Sequence, residues 1–238
     1  MIHGYNAEPT GGWVIQGVVK NPIGVELEVD YQGYEPTNQH YCCIDCHGPR
    51  SIWEGQRLES IQTKIDEKLA EVKWLFLKRD SSLKNGVEVV SHPMGLGSHK
   101  RKWPEVLEFL GGVGKLRPHD EQGLHFHFKV QEYQIVRDFV LDYPKELQEI
   151  AGRGENEFCV FNKGNHHHSV INRRDDNRCE FRLCRSTVKI DEFFARLELA
   201  HALASIASVE EMEWGEFWER CQERPVMYKE LLLIGGKS

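Results

Sequence analysis

Alternation decides what this chain can become. In the run RCEFRLCR at residues 178–185, Arg178, Glu180 and Arg182 fall on one face of a strand, and Cys179, Phe181 and Leu183 on the other. Taken alone, a carboxylate between two guanidiniums reads as a surface ion-pair ladder, worth little. The pattern recurs, however, in GVELEVD at 24–30, DSSLKNGVEVVSHP at 80–93 and GLHFHF at 123–128. Each stretch sets carboxylates or imidazoles at alternate positions between large apolar residues. Glutamate is disfavoured in strands, so Glu26 and Glu28 on a shared face need a reason beyond local preference. Four strands that turn acids, histidines and arginines to one face describe a lined polar cavity, the footprint of a metal–nucleotide site.

Composition narrows the class. The chain has 238 residues, 40% apolar and 28% charged, which suits one large soluble domain or two small ones. A formal net charge of −7 argues against nucleic acid as a partner. No apolar run approaches the roughly 20 residues of a membrane span, and MIHGYNAEPTGGW lacks the order of a signal peptide. Seven scattered cysteines suggest reduced thiols and a cytoplasmic setting. Residues 1–20 read as a lead-in, and 21–238 as one domain carrying an irregular insertion at 31–50.

Along the chain, Trp13 to Lys20 reads as a short strand closed by Asn21-Pro22. Ile23 to Asp30 alternates, with Val25, Leu27 and Val29 opposite Gly24, Glu26, Glu28 and Asp30. Ser51 to Leu77 has helical spacing through Ile52, Leu58, Ile61, Ile65, Leu69 and Val72, with a β-like run from Trp74 to Lys78 at its end. Asn85-Gly86 marks the tip of a turn, and Val87 to Ser91 returns as a strand, bringing Asp80 and Glu88 to the two stems of one hairpin. Lys102 to Leu110 reads as a helix with Pro104 in its first turn, and Gly111 to Gly114 as a flexible surface loop. The segment 131–150 is an amphipathic helix broken near Pro144. Strands are expected at 157–161 and 168–172, with a charged turn at 173–177. Residues 189–207 form the strongest helix, and 210–233 hold helical segments interrupted by Pro225.

The insertion contains Cys43-x-x-Cys46 flanked by His40, Cys42 and His47. This is half of a zinc spacing, so the loop is a candidate structural zinc site or a plain loop.

The four polar strands, in order, resemble a family. The series E-x-E strand, D-x-S-L…G-x-E-V-V-S-x-P hairpin, G-L-H-x-H and E-F-R before a long helix is similar to that of amidoligases. These belong to the glutamine synthetase-like carboxylate–amine ligase superfamily and are often carried by phages. The match runs from about Ile23 to Ala207. It implies an α+β glutamine synthetase-like fold, a curved and mostly antiparallel sheet with helices on its convex side. It also implies an ATP- and Mg²⁺-dependent reaction. Glu28, Asp80 and Glu88 would surround one metal; Glu26, His125 and Glu180 would surround the second. His127 would contact ATP phosphates, and Arg182 would orient the substrate carboxylate. Arg178 would touch phosphate or brace the triplet. Where glutamine synthetases carry an arginine on the strand before the triplet, this chain has Asn165-His166-His167-His168, leaving His167, Lys163 or Arg153 to supply the charge.

The expected activity is ligation of a carboxylate to an amine through an acyl phosphate, with small-molecule or peptide substrates. Alternatives are an inactive relative acting as a binding or structural protein, and a metal-dependent hydrolase. If the acids form a self-repelling cluster, Glu180→Gln should hold or raise stability in the absence of ligands.

Overall fold

The apolar half of each alternating segment is what assembles the molecule. The computed structural model describes residues 2–3, 21–30, 64–65, 67–69, 72–78, 83, 86–113, 122–162, 164, 166, 168–175 and 178–236. Strands β1 (Ile2–His3), β2 (Ile23–Asp30), β3 (Leu75–Lys78), β4 (Gly86–Ser91), β5 (Gly123–Lys129), β6 (Ile171–Asp175) and β7 (Arg178–Arg185) share one sheet. Their order is β1-β3-β4-β2-β5-β7-β6. All neighbours are antiparallel except β1 with β3.

Val25, Leu27, Val87, Val89, Leu124, Phe126, Phe181 and Leu183 are fully buried on the sheet's apolar face. Burying each such side chain contributes about 1.5–3 kcal/mol, which fixes the register, since a one-residue slip would turn every one of them outward. The same register commits the intervening polar residues to the opposite face.

Helices α1 (Leu96–Val113), α2 (Tyr133–Asp142), α3 (Pro144–Ala151), α4 (Ile190–Ala202), α5 (Trp214–Gln222) and α6 (Lys229–Gly235) join the sheet in a single apolar core. The architecture is α+β, an open and mostly antiparallel sheet with a helical layer, as the family resemblance implied. Helix α4 is buried continuously from Phe193 to Ala202, and its buried charges are paired, Glu198 with Lys100 and Arg196 with Glu192 and the Arg185 carbonyl oxygen. It packs on β5, α1 and α6 and runs into a π-helical turn at Leu203–Ala207. Helix α3 packs on β7 and ends at Gly152, whose φ of 67° admits glycine readily. Among the described residues no helix is long and apolar enough to cross a membrane.

Three local expectations change. Helix α1 begins at Leu96, so Pro104 lies in its interior, and Gly111 and Gly112 belong to its last turn. Leu96, His99, Trp103, Val106, Leu107 and Leu110 make one buried face, and that packing outweighs the lost backbone donor at proline and the glycine entropy. The strand expected at 157–161 reduces to isolated bridges, Asn156 with Cys159 and Val160 with Ser169, and the one expected at 168–172 begins only at Ile171, the start of β6. The charged turn narrows as well, because Arg173 to Asp175 belong to β6. The Trp13–Lys20 strand, the 31–50 insertion with Cys43 and Cys46, Asp80, Lys163 and His167 lie outside the described residues.

Candidate functional site

Register brings the polar residues together. Strand β2 sets Glu26 across from His125 and Glu28 across from Glu88, and β5 sets His127 across from Glu180. His127 Nε2 lies 3.1 Å from Glu26 Oε1 and 4.0 Å from Glu180 Oε1. His125 sits among three carboxylates. Its Nδ1 is 3.8 Å from both Glu26 Oε2 and Glu180 Oε1, and its Nε2 is 3.6 Å from Glu28 Oε1. Lys78 Nζ, from β3, stands 3.3 Å from Glu88 Oε2. The Gly123 backbone N–H donates to Glu28 Oε2 at 2.6 Å, and the Ser186 hydroxyl donates to the Glu28 carbonyl oxygen.

Glu180 is fully buried and has donors on both oxygens. Arg182 Nη1 donates to Oε1 at 2.6 Å. Oε2 accepts from Asn172 Nδ2 at 3.1 Å and from Arg174 Nη2. Two guanidiniums therefore flank the carboxylate, as the triplet suggested, but the partner of Arg182 is Arg174 from β6. Arg178 stands at the start of β7, across from Lys129 on β5 and Asp175 on β6. Arg153, buried just beyond α3, feels the charges of Glu28 and Arg182.

The electrostatics follow from these contacts. Burial works to raise the Glu26 carboxyl, yet the charge of His127 and hydrogen bonds from His125 and His127 hold it well below the ordinary range. Burial likewise opposes ionisation of Glu180, and His127, Arg182 and His125 overcome it, bringing the carboxyl down to about 2. For His127, burial disfavours the cation, but Glu26 and Glu180 raise its pKa above the usual imidazole value. Glu26 and Glu180 are thus held in the ionised form by the chain's own cations. Self-repulsion does not dominate, which reverses the expectation for Glu180→Gln: losing the charge strands Arg174 and Arg182.

Two trios have the composition of cation sites, Glu26 with Glu88 and His125, and Glu26 with His127 and Glu180. In each, the ligand atoms lie within 4.8 Å of one another. Octahedral Mg²⁺, with ligands at about 2.0–2.1 Å, needs donor atoms roughly 3–4 Å apart. Small side-chain rotations would bring donors up to 4.8 Å apart into that range. Two carboxylates to one imidazole also favour a hard divalent ion over zinc or copper, so the residues fit Mg²⁺. Glu28 stands beside the first trio through His125, and the trios share Glu26 instead of dividing the acids as the resemblance implied.

Several contributors escaped the sequence reading, Asn172 and Ser186 among them. Lys78 and Arg174 are placed by cross-strand pairing, and no local pattern marked them. Gly123 did carry a signal, a glycine two residues before His125 on the same strand face. A β-carbon there would overlap His125 Nε2, so this glycine leaves the space the imidazole fills.

No family model and no curated protein matches the chain. Among solved structures, GmaS in complex with ADP is similar over 92% of this chain and 64% of its own, at 12% identity and a TM-score of 0.50. The chain shares its fold with GmaS. GmaS is a glutamine synthetase-like amidoligase. Its apo structure is similar over 84% of this chain and 58% of the GmaS chain, again at 12% identity, with a TM-score of 0.44. The chain thus spans less than two thirds of the GmaS chains it resembles.

Proposed function

We propose that this protein is an ATP- and Mg²⁺-dependent carboxylate–amine ligase that forms an amide through an acyl phosphate. The observation that carries the reading is the pair of Glu/Glu/His trios sharing Glu26, with guanidiniums held directly against Glu180. Phosphoryl transfer asks for hard-ion sites beside fixed positive charge, and a fold shared with a protein solved with ADP supports the assignment.

Glu26, Glu88 and His125 would hold one ion, and Glu26, His127 and Glu180 the other. Glu28 supports the first through His125, and the family resemblance would add Asp80 there. Bound Mg²⁺ supplies charge neutralisation for the triphosphate. Arg182 orients the acid, its planar fork suiting a carboxylate, while His127, Arg153 and Arg178 serve the phosphates. In the reaction, a carboxylate oxygen of the acid attacks the γ-phosphorus and ADP departs. The amine nitrogen then attacks the acyl carbon, phosphate leaves, and the nitrogen gives up a proton.

Phosphate release from ATP by purified protein, assayed with acids and amines separately and together, tests this. Release that needs both an acid and an amine, with amide product, is expected. Release with neither present would indicate a hydrolase, and no release under any combination would favour a binding or structural role.

A further inference from the structure

The two oxygens of Glu180 are not equivalent. Oε1 faces the imidazoles, 3.8 Å from His125 Nδ1 and 4.0 Å from His127 Nε2. Oε2 points away and is held by two donors of the edge strand, Asn172 Nδ2 and Arg174 Nη2. Arg182 takes one lone pair of Oε1, and a carboxylate oxygen carries two, so a single donor direction remains for a cation.

The edge strand is shaped for this task. Asn172 pairs with Glu180 in the β6–β7 ladder, and the register breaks between Arg173 and Asp175. Bulges at sheet edges re-aim side chains. Arg174, two residues beyond Asn172 and on the same face, reaches Glu180 from within that bulge. Asn172 is 2% exposed, and the Arg174 side chain is 38% exposed.

We propose that Asn172 and Arg174 set the ion preference of the site, by occupying Oε2 so that Glu180 can offer a cation only one oxygen. Calcium readily takes a carboxylate through both oxygens in a loose shell of six to eight ligands, whereas magnesium demands a tight octahedron. A carboxylate pinned at one oxygen therefore favours Mg²⁺ over Ca²⁺. Asn172 and Arg174 are positioning residues here, acting through Glu180, and the inference rests on the metal-site reading above.

The test is calorimetric titration of Mg²⁺ and of Ca²⁺ into wild-type protein, Asn172→Ala and Arg174→Ala, without nucleotide. The quantity read is the ratio of the two dissociation constants, because losing the Arg174 charge strengthens both ions together and cancels in the ratio. Loss of an orienting partner costs a metal site about tenfold or more; Arg174 still holds Oε2 in Asn172→Ala, so that variant should move the ratio toward Ca²⁺ by at least about threefold. Arg174→Ala should move it the same way by at least about threefold, as Asn172 still holds Oε2. Thermal melts of the ion-free variants separate a lost fold from a changed site. If Asn172→Ala does not fold, Arg174→Ala decides, since its side chain is partly exposed. Ion binding by wild type with an unchanged ratio in the folded variants overturns this inference and leaves the metal site standing. Failure of wild type to bind either ion removes the metal site, and the inference with it.

Discussion

Acid should loosen the start of β2, and His99 is the reason. This histidine is fully buried on α1. Its ring bridges two fixed groups: Nδ1 is 2.9 Å from Trp103 Nε1, and Nε2 is 2.8 Å from the Ile23 carbonyl oxygen. An indole nitrogen only donates, so Nδ1 must accept, and Nε2 carries the proton given to Ile23. A second proton would go onto Nδ1, against the indole N–H. Burial pushes the pKa down to about 4, outweighing the backbone hydrogen bonds that favour the cation, with Lys102 and His201 adding repulsion. The unfolded chain titrates near 6.5, so below that pH it binds a proton the folded protein refuses. The stability His99 contributes is therefore complete above about pH 6.5, and it is lost as pH falls toward 4. At 1.36 kcal/mol for each pKa unit, the loss is about 2 kcal/mol at pH 5 and about 3 kcal/mol at pH 4. Urea unfolding of wild type and His99→Gln between pH 7 and 5 isolates it, because all other titrating groups are common to both. The wild-type midpoint should fall by about 1 M more than that of the variant. Parallel pH dependence in the two proteins would refute the neutral, buried assignment. Because Ile23 opens the strand that bears Glu26 and Glu28, loss of ion binding should accompany the loss of stability.

Gly123→Ala should displace His125, whose Nε2 the new methyl would overlap. Calorimetry should show weakened Mg²⁺ binding, and unaltered binding would mean that the strand gives way instead. Glu180→Gln should abolish ATP-dependent turnover and also lower stability by roughly 2 kcal/mol, since charge-assisted hydrogen bonds from Arg174 and Arg182 are lost. A urea midpoint at or above that of wild type would restore the picture of a self-repelling acid cluster. Arg182→Lys should raise KM for the acid with little change in ATP affinity, because lysine cannot reproduce the bidentate fork. Lost ATP affinity with an unchanged KM would move Arg182 to the nucleotide.

What the sequence made legible is what period-two alternation can encode. In β2, β4, β5 and β7 the apolar positions name the buried face, so Glu26, Glu28, Glu88, His125, His127, Glu180 and Arg182 had to share the other one. Facing is local information; pairing is not. Lys78 reaches Glu88 because β3 lies beside β4 with those two residues in register, and nothing within either strand states that register. Arg174 is harder still, since a charged RRDDN run reads as a turn, and it is a bulge in the edge ladder that brings this guanidinium to Glu180. In α1 the failure has another origin. Pro104 and the glycine pair carry strong local signals, and a buried face extending from Leu96 to Leu110 overrides them.

Ion balance explains why such an acidic surface can sit inside a folded chain. Isolated buried carboxylates are costly, and Glu28, Glu88 and Glu180 are each at most 4% exposed. Glu88 is met by Lys78, Glu28 by Gly123 N–H and by attraction to Arg153, and Glu180 by Arg174 and Arg182. Glu26, the acid common to both trios, is the least firmly met: among the described residues its ion pairs are with His125 and His127, and Arg182 attracts it from further off. Its ionisation thus relies mainly on an imidazole cation, the weakest of these counter-charges and the one most readily given up. A divalent ion entering between the trios would take over the role of the His127 proton, leaving the guanidinium pairs around Glu180 in place. The framework of the site is therefore built into the fold, and the group left for an incoming ion to neutralise is the carboxylate at its centre.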